Sequence, residues 1–178
     1  MDKAATVAKA RFRERSEHCL DDKGRLNLPS RFREQLRFYD SETLMISIWG
    51  RDHLRVYPLA DWEEMETELE DKWATLSERL DSISDEDGDD TEFIKLSRQL
   101  EKIKARIYEV IECQIDKQGR ILLPQQRREQ VSIRKDIVLV GLGKFFELWG
   151  KENWDAGRER LAAITGKNDD IRAALGVL

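Results

Sequence analysis

The chain has little of what most catalytic and metal sites are built from. It has 2 cysteines and 2 histidines among 178 residues. Cys19 and Cys113 stand far apart in no CxxC pattern, and His18 and His53 share no ligand spacing with them or with each other. That argues against a disulfide framework and a zinc site, and it points to reduced thiols. Long apolar runs are missing too: nothing approaches the roughly 20 consecutive apolar residues that a spanning helix needs. The opening MDKAATVAKARFRER has no continuous apolar stretch of the secretory kind, and it carries Asp2 and Glu14 with Glu17 just beyond. The expectation is a cytoplasmic chain without a membrane partner. No GxSxG, P-loop or GxGxxG context occurs, and Gly141-Leu142-Gly143 reads as a hairpin turn. No nucleophile, base and metal set converges. The reading is therefore of a non-enzyme with no catalytic residues, cofactor, metal or small-molecule substrate.

A net charge of -5 speaks at first against nucleic acid. The distribution along the chain reverses that. Residues 1–37 hold ten basic side chains against six acids, and residues 113–135 hold six against two. Residues 61–90 carry 14 acids against Lys72 and Arg79. Charge is segregated by segment, and the whole-chain sum conceals it.

What is abundant is repetition. LDDKGRLNLPSRFRE (Leu20 to Glu34) aligns without a gap on IDKQGRILLPQQRRE (Ile115 to Glu129). Asp21 falls on Asp116, Gly24 on Gly119, Arg25 on Arg120 and Pro29 on Pro124. LMISIWG (Leu44 to Gly50) then matches IVLVGLG (Ile137 to Gly143), and VYPLADW (Val56 to Trp62) matches LWGKENW (Leu148 to Trp154). One unit is present twice. Each reads as two short strands around a glycine turn, a short helix starting at the proline, and two more strands. The helices are expected at about Pro29 to Arg37 and Pro124 to Val131. The later strands are expected at Leu44–Trp49, Leu54–Tyr57, Ile137–Leu142 and Phe145–Trp149. A ββαββ unit of this size is small for an independent core, so the two should pack on each other or on neighbouring chains.

Between the units the period changes. Trp62, Met65, Leu69, Trp73, Leu76, Leu80 and Ile83 recur at three- and four-residue steps, as do Phe93, Leu96, Leu100, Ile103, Ile107 and Val110. These are narrow helical seams, predicting an antiparallel hairpin about 30–35 Å long with an acidic tip at Ser84–Asp90. The tryptophans on the seams read as core packing. The division expected is 1–11, an extension; 12–60, the first unit; 61–110, the hairpin; 111–154, the second unit; and 155–178, a helix to about Ile164 followed by a tail. The fold class is α+β.

Arg25 and Arg120 follow their turn glycines on hairpins that should project. A guanidinium there can meet a phosphate or the O6/N7 edge of guanine; it can equally pair with Asp21 or Asp116, or across subunits. Lys23 and Lys117, within the turns, fit phosphate contacts that position without specifying sequence. Arg13 and Arg15 alternate with Arg11, either as a DNA-facing strand or as a charged edge that discourages pairing. Arg31, Arg33, Arg127 and Arg128 fall on the short helices, where solvated or interface positions fit as well. Asp21, Gly24, Asp116 and Gly119 are read as turn-organising.

With its twice-used DxxxR turn and Leu-Pro helix start, the chain resembles the MraZ family from Phe12 to about Trp154. The residues that carry this are Phe12, LDDKGRL, SRFRE, VYPLADW, ECQIDKQGRILLP, VLVG and FELW. The resemblance implies two tandem swapped-hairpin units of the AbrB/SpoVT-like class in a cytoplasmic, nucleoid-associated transcription regulator. It further implies a ring-shaped homo-oligomer that binds double-stranded DNA at direct repeats upstream of the division and cell-wall gene cluster. Glu14 and Tyr108 depart from it, standing where family members usually have glycine, and the helical hairpin is longer than the resemblance implies. Two alternatives use the same fold: an antitoxin-like protein-binding module, and a structural oligomer whose arginines are interface ion pairs.

Overall fold

The computed structural model describes residues 11–39, 41–84 and 90–174. The first repeat runs β1 (Arg15–Cys19), β2 (Arg25–Asn27), α1 (Ser30–Leu36), β3 (Thr43–Trp49) and β4 (His53–Pro58). Helices α2 (Leu59–Ser84) and α3 (Asp90–Tyr108) follow. The second repeat runs β5 (Ile111–Gln114), β6 (Arg120–Leu122), α4 (Gln125–Gln130), β7 (Asp136–Gly141) and β8 (Phe146–Gly150), and the chain continues into α5 (Lys151–Ala174). The strands lie within a residue or so of the spans expected from the sequence. Pro29 and Pro124 do not open their helices from inside. Each sits at the cap, with φ/ψ of -53°/143° and -56°/140°. The ring fixes the approach there, and the proline carbonyls accept the first helical N–H groups, from Phe32 and Arg33 and from Arg128.

Strand pairing crosses between the repeats. The main sheet has the order β1-β7-β8-β4-β3-β5, all neighbours antiparallel. The first strand of each repeat thus lies on the edge beside strands of the other, and the order read backwards exchanges equivalent strands. The remaining pair, β2 and β6, forms a separate two-stranded ribbon. The register repeats the symmetry: Leu26 faces Ile121 at the centre of the ribbon. At the centre of the sheet Arg55 faces Glu147, its counterpart in the repeat.

Both repeats contribute to one core. Leu26, Leu28 and Phe32 from one and Ile121 and Leu123 from the other pack with Phe12, Leu54, Phe146 and Leu148 on one face of the sheet. Phe12, Phe32 and Phe146 meet with ring centroids 5.1–5.2 Å apart. On the opposite face Tyr57 packs edge-on against Trp62, and Trp149, its counterpart, packs edge-on against Trp154. Helices α2 and α5 therefore begin alike in the two repeats, and α3 is the return that only the first has. Trp73 departs from the core reading, being 45% exposed on α2. Helix α5 also runs to Ala174, past the expected end near Ile164. Gly157 and Gly166 do not stop it, because glycine ends a helix only where the chain then turns left-handed, and no proline follows. The expected tip turn, the N-terminal extension and the last tail residues fall largely outside the described residues.

Candidate nucleic-acid interface

The two DxxxR turns are built alike. In the first, Asp21 Oδ1 accepts the backbone N–H groups of Lys23 and Arg25 at 3.0 and 2.9 Å, and Gly24 N–H returns to Asp21 O at 2.9 Å. In the second, Asp116 Oδ1 accepts those of Gln118 and Arg120, both at 2.9 Å, and Gly119 N–H returns to Asp116 O at 2.8 Å. The glycines hold φ of +79° and +77°, which side chains with a Cβ adopt only under strain. The backbone N–H of Arg25 and then its guanidinium hold Asp21 below the usual carboxylate range, and Arg120 does the same to Asp116.

Each arginine leans on its own aspartate. Arg25 Nε donates to Asp21 Oδ2 at 2.6 Å. Arg120 places Nε and Nη2 each 2.8 Å from Asp116 Oδ2. The intramolecular pairing that competed with the DNA reading is thus present. It does not bury the arginines, whose side chains remain 31% and 26% exposed. An exposed pair of this kind contributes little stability, but it fixes the direction of a long side chain.

The ribbon brings the two turns together. Arg25 pairs with Leu122, Leu26 with Ile121 and Asn27 with Arg120. Leu28 N–H donates to Gly119 O, and Leu123 N–H to Gly24 O, both at 3.0 Å. Leu26 and Ile121 are fully buried beneath the ribbon. Side chains alternate along strands, so Arg25, Asn27, Arg120 and Leu122 share the outer face, the two arginines symmetric about the ribbon centre.

Two further arginines, left open in the sequence reading, join them from the helices. A Cβ on Gly119 would lie 2.3 Å from Arg33 Cδ, and one on Gly24 would lie 3.0 Å from Arg128 Nη2. Arg128 is anchored by Nε to Leu123 O at 3.1 Å. Each turn is thus roofed by a helix arginine of the other repeat. A sequence signal for this existed: Arg33 and Arg128 occupy equivalent positions of the repeat, as Arg25 and Arg120 do. Lys23 and Lys117 are exposed on the turns, and Lys117 lines an open groove of about 550 Å³ with Arg33, Arg37 and Gly119.

Arg13 and Arg15 are not brought to the ribbon strands. Arg13 precedes the edge strand β1 and Arg15 lies on it, 3.6 Å from Glu17. Arg31 turns to the same edge and pairs with the Glu14 carboxylate and Ser16 Oγ. Among the described residues no group of three or more His, Cys, Asp or Glu could hold a metal, and no helix is long and apolar enough to cross a membrane.

Comparison with known proteins gives this geometry a context. Residues 12–84 and 108–175 match the family model described as "MraZ protein, putative antitoxin-like". The chain is 33% identical to a transcriptional regulator MraZ of Syntrophobacter fumaroxidans over 84% of this chain and 86% of the relative. It is 35% identical to one of Thermomicrobium roseum over 85% and 90%. With one of Methylococcus capsulatus it shares 30% identity over 94% and 98%.

Proposed function

The chain belongs to the MraZ family, and from that premise we propose that it regulates transcription by binding double-stranded DNA through the outer face of the β2–β6 ribbon. The observation that carries this is the placement of Arg25 and Arg120 on one exposed face, each aimed by a turn aspartate. A two-stranded ribbon fits the major groove. With Nε held by the aspartate, the outer nitrogens of Arg25 are left to reach a base edge or a phosphate. Lys23, Lys117, Arg33 and Arg128 surround the ribbon ends and supply phosphate contacts that fix its register. Arg13 and Arg15, on the neighbouring edge, extend the basic surface.

One ribbon offers too few contacts for specific binding. In this reading several copies assemble into a ring whose ribbons engage successive upstream repeats of the division and cell-wall gene cluster at high effective concentration, as a nucleoid-associated cytoplasmic regulator. The fold would be the tandem swapped-hairpin type of the AbrB/SpoVT-like class, which the exchange of β1 and β5 suits. A second reading, an antitoxin-like module that holds a basic protein, is favoured by α2, where nine acids stand against two bases.

The test is fluorescence anisotropy with the fragment upstream of the protein's own gene cluster, beside a random duplex, across a salt series. Wild type is expected to prefer the upstream fragment, with affinity falling steeply as salt rises. Arg25→Ala and Arg120→Ala should each weaken binding by about 1–3 kcal/mol at unchanged melting temperature. Equal, weak binding to both duplexes would sink the proposal, and a stoichiometric co-purifying protein would favour the second reading.

A further inference from the structure

The groove between α1 and the second DxxxR turn encloses about 550 Å³, within the roughly 300–1,000 Å³ of small-molecule sites. One end of it is basic, with Arg33, Arg37 and Lys117 exposed there. Arg37 caps α1 four residues after Arg33, a spacing at which like charges repel. Among the described residues none of these three cations takes part in an ion pair. The nearby Asp116 is taken up by its own turn and by Arg120. The repeat shows which of these charges the fold requires. Arg33, Arg37 and Lys117 align on Arg128, Ser132 and Asp22, so only the arginine that roofs the far turn recurs. Arg128 is tied by Nε to Leu123 O, and Arg33 makes no such bond among the described residues. The second repeat folds alike without the other two cations, which leaves their gathering on this groove unexplained by architecture.

The rest of the groove is of another kind. Leu36 is buried, and Tyr39 and Ile115 are half-buried against the core. The Tyr39 hydroxyl donates to the Asp61 carboxylate, which holds the ring in place, and a fixed aromatic ring is a platform for a flat base. Glu34 and Glu42 also line the groove. They repel a bare inorganic anion but accept N–H and O–H donors. Arginine and lysine together suit clustered phosphate oxygens. We propose that this groove binds a free nucleoside di- or triphosphate, its phosphates on Arg33, Arg37 and Lys117 and its base against Tyr39. Duplex DNA does not meet the same demands, because its bases are stacked inside and its phosphates are strung singly along the backbone. The inference does not depend on DNA binding, and its test contains no DNA.

The experiment is isothermal titration calorimetry of the full-length protein with ADP, GDP, pyrophosphate and adenosine. One ADP or GDP is expected per chain, with pyrophosphate about tenfold weaker and no saturable heat from adenosine. Arg37→Ala should weaken ADP by about tenfold or more, with far-UV circular dichroism unchanged, and Arg37→Lys should recover part of the loss. Tyr39→Leu should bring ADP down to the affinity of pyrophosphate while leaving pyrophosphate itself unchanged. Arg134→Ala, which removes a cation paired with Glu152 elsewhere on the surface, should bind ADP as the wild type does. Three results would overturn the inference: no saturable binding of either nucleotide up to about 1 mM, ADP binding no tighter than pyrophosphate, or equal losses in Arg37→Ala and Arg134→Ala.

Discussion

Glu14 shows how one side chain records a departure from a family pattern. It holds φ of +71°, at a position where the resemblance leads one to expect glycine. Its carbonyl accepts the N–H of Gly141 at 2.9 Å, and a Cβ on Gly141 would come within 2.4 Å of the Arg13 amide nitrogen. Two chain segments pass too closely there for Glu14 to choose another path. The Glu14 carboxylate pairs with Arg31 on the exposed edge, a contact that contributes little stability. Glu14→Gly should stabilise the fold by about 1 kcal/mol, seen as a melting temperature roughly 2–4 °C higher. A lower melting temperature would mean that the ion pair outweighs the backbone. Tyr108, the other departure, does not share this conformation; it is not among the non-glycine residues with positive φ. Glu147 makes a second argument at this scale. Burial alone would raise its carboxyl, but His53, Trp149 and Arg55 outweigh that and hold it at about 2 against an ordinary 4.5. Trp149 Nε1 and Arg55 Nε each donate to it at 2.9 Å. The folded state therefore binds this proton less readily than the unfolded chain. The stabilisation is complete above about pH 4.5 and is lost as pH falls toward 2, with a ceiling of about 3 kcal/mol. Urea melts at pH 7, 4 and 3 should show it. Glu147→Gln should be less stable at pH 7 and lose less on acidification; parallel curves for the two proteins would refute the assignment.

At the scale of the element, the glycine turns are the most constrained pieces. Gly119→Ala places a Cβ against Arg33 at φ +77°. It should cost about 1–2 kcal/mol, measurable as a shifted denaturation midpoint. A neutral result would show that the turn and Arg33 move aside freely. These turns were legible in the sequence because their chemistry is local: Asp, Gly and the Leu-Pro that follows lie within nine residues, and each does its work on near neighbours. The helical seams were legible by period. The crossing of β1 and β5 between repeats was not, because alternation along a strand says which face is buried and nothing about which strand lies beside it. For the same reason the helix positions of Arg33 and Arg128 leave solvated and interface roles open. What makes them part of the site is the far turn each one roofs. The exposure of Trp73 escaped because a 3-4 period marks an apolar stripe without saying how much of it one neighbour covers.

For the whole molecule, the internal two-fold decides what can stand alone. β1 finds its partner in β7 and β5 in β3, while the Arg55–Glu147 pair at the centre is made from opposite charges at equivalent positions. A chain ending at Ser84 lacks β5, β6, β7 and β8, and with them a neighbour of each of its own four strands. It should give a circular dichroism spectrum without the sheet signature and no cooperative melt; a sharp transition would show that the first unit closes on itself. The same exchange sets a timetable for synthesis. The first unit leaves the ribosome with its edges unpaired and half of its core missing, and it stays so until residues beyond Gly150 have emerged. The nascent chain must therefore carry open strand edges through most of its own translation, when pairing with a neighbouring nascent chain is the competing outcome. The duplicated sequence makes that neighbour a close imitation of the right partner.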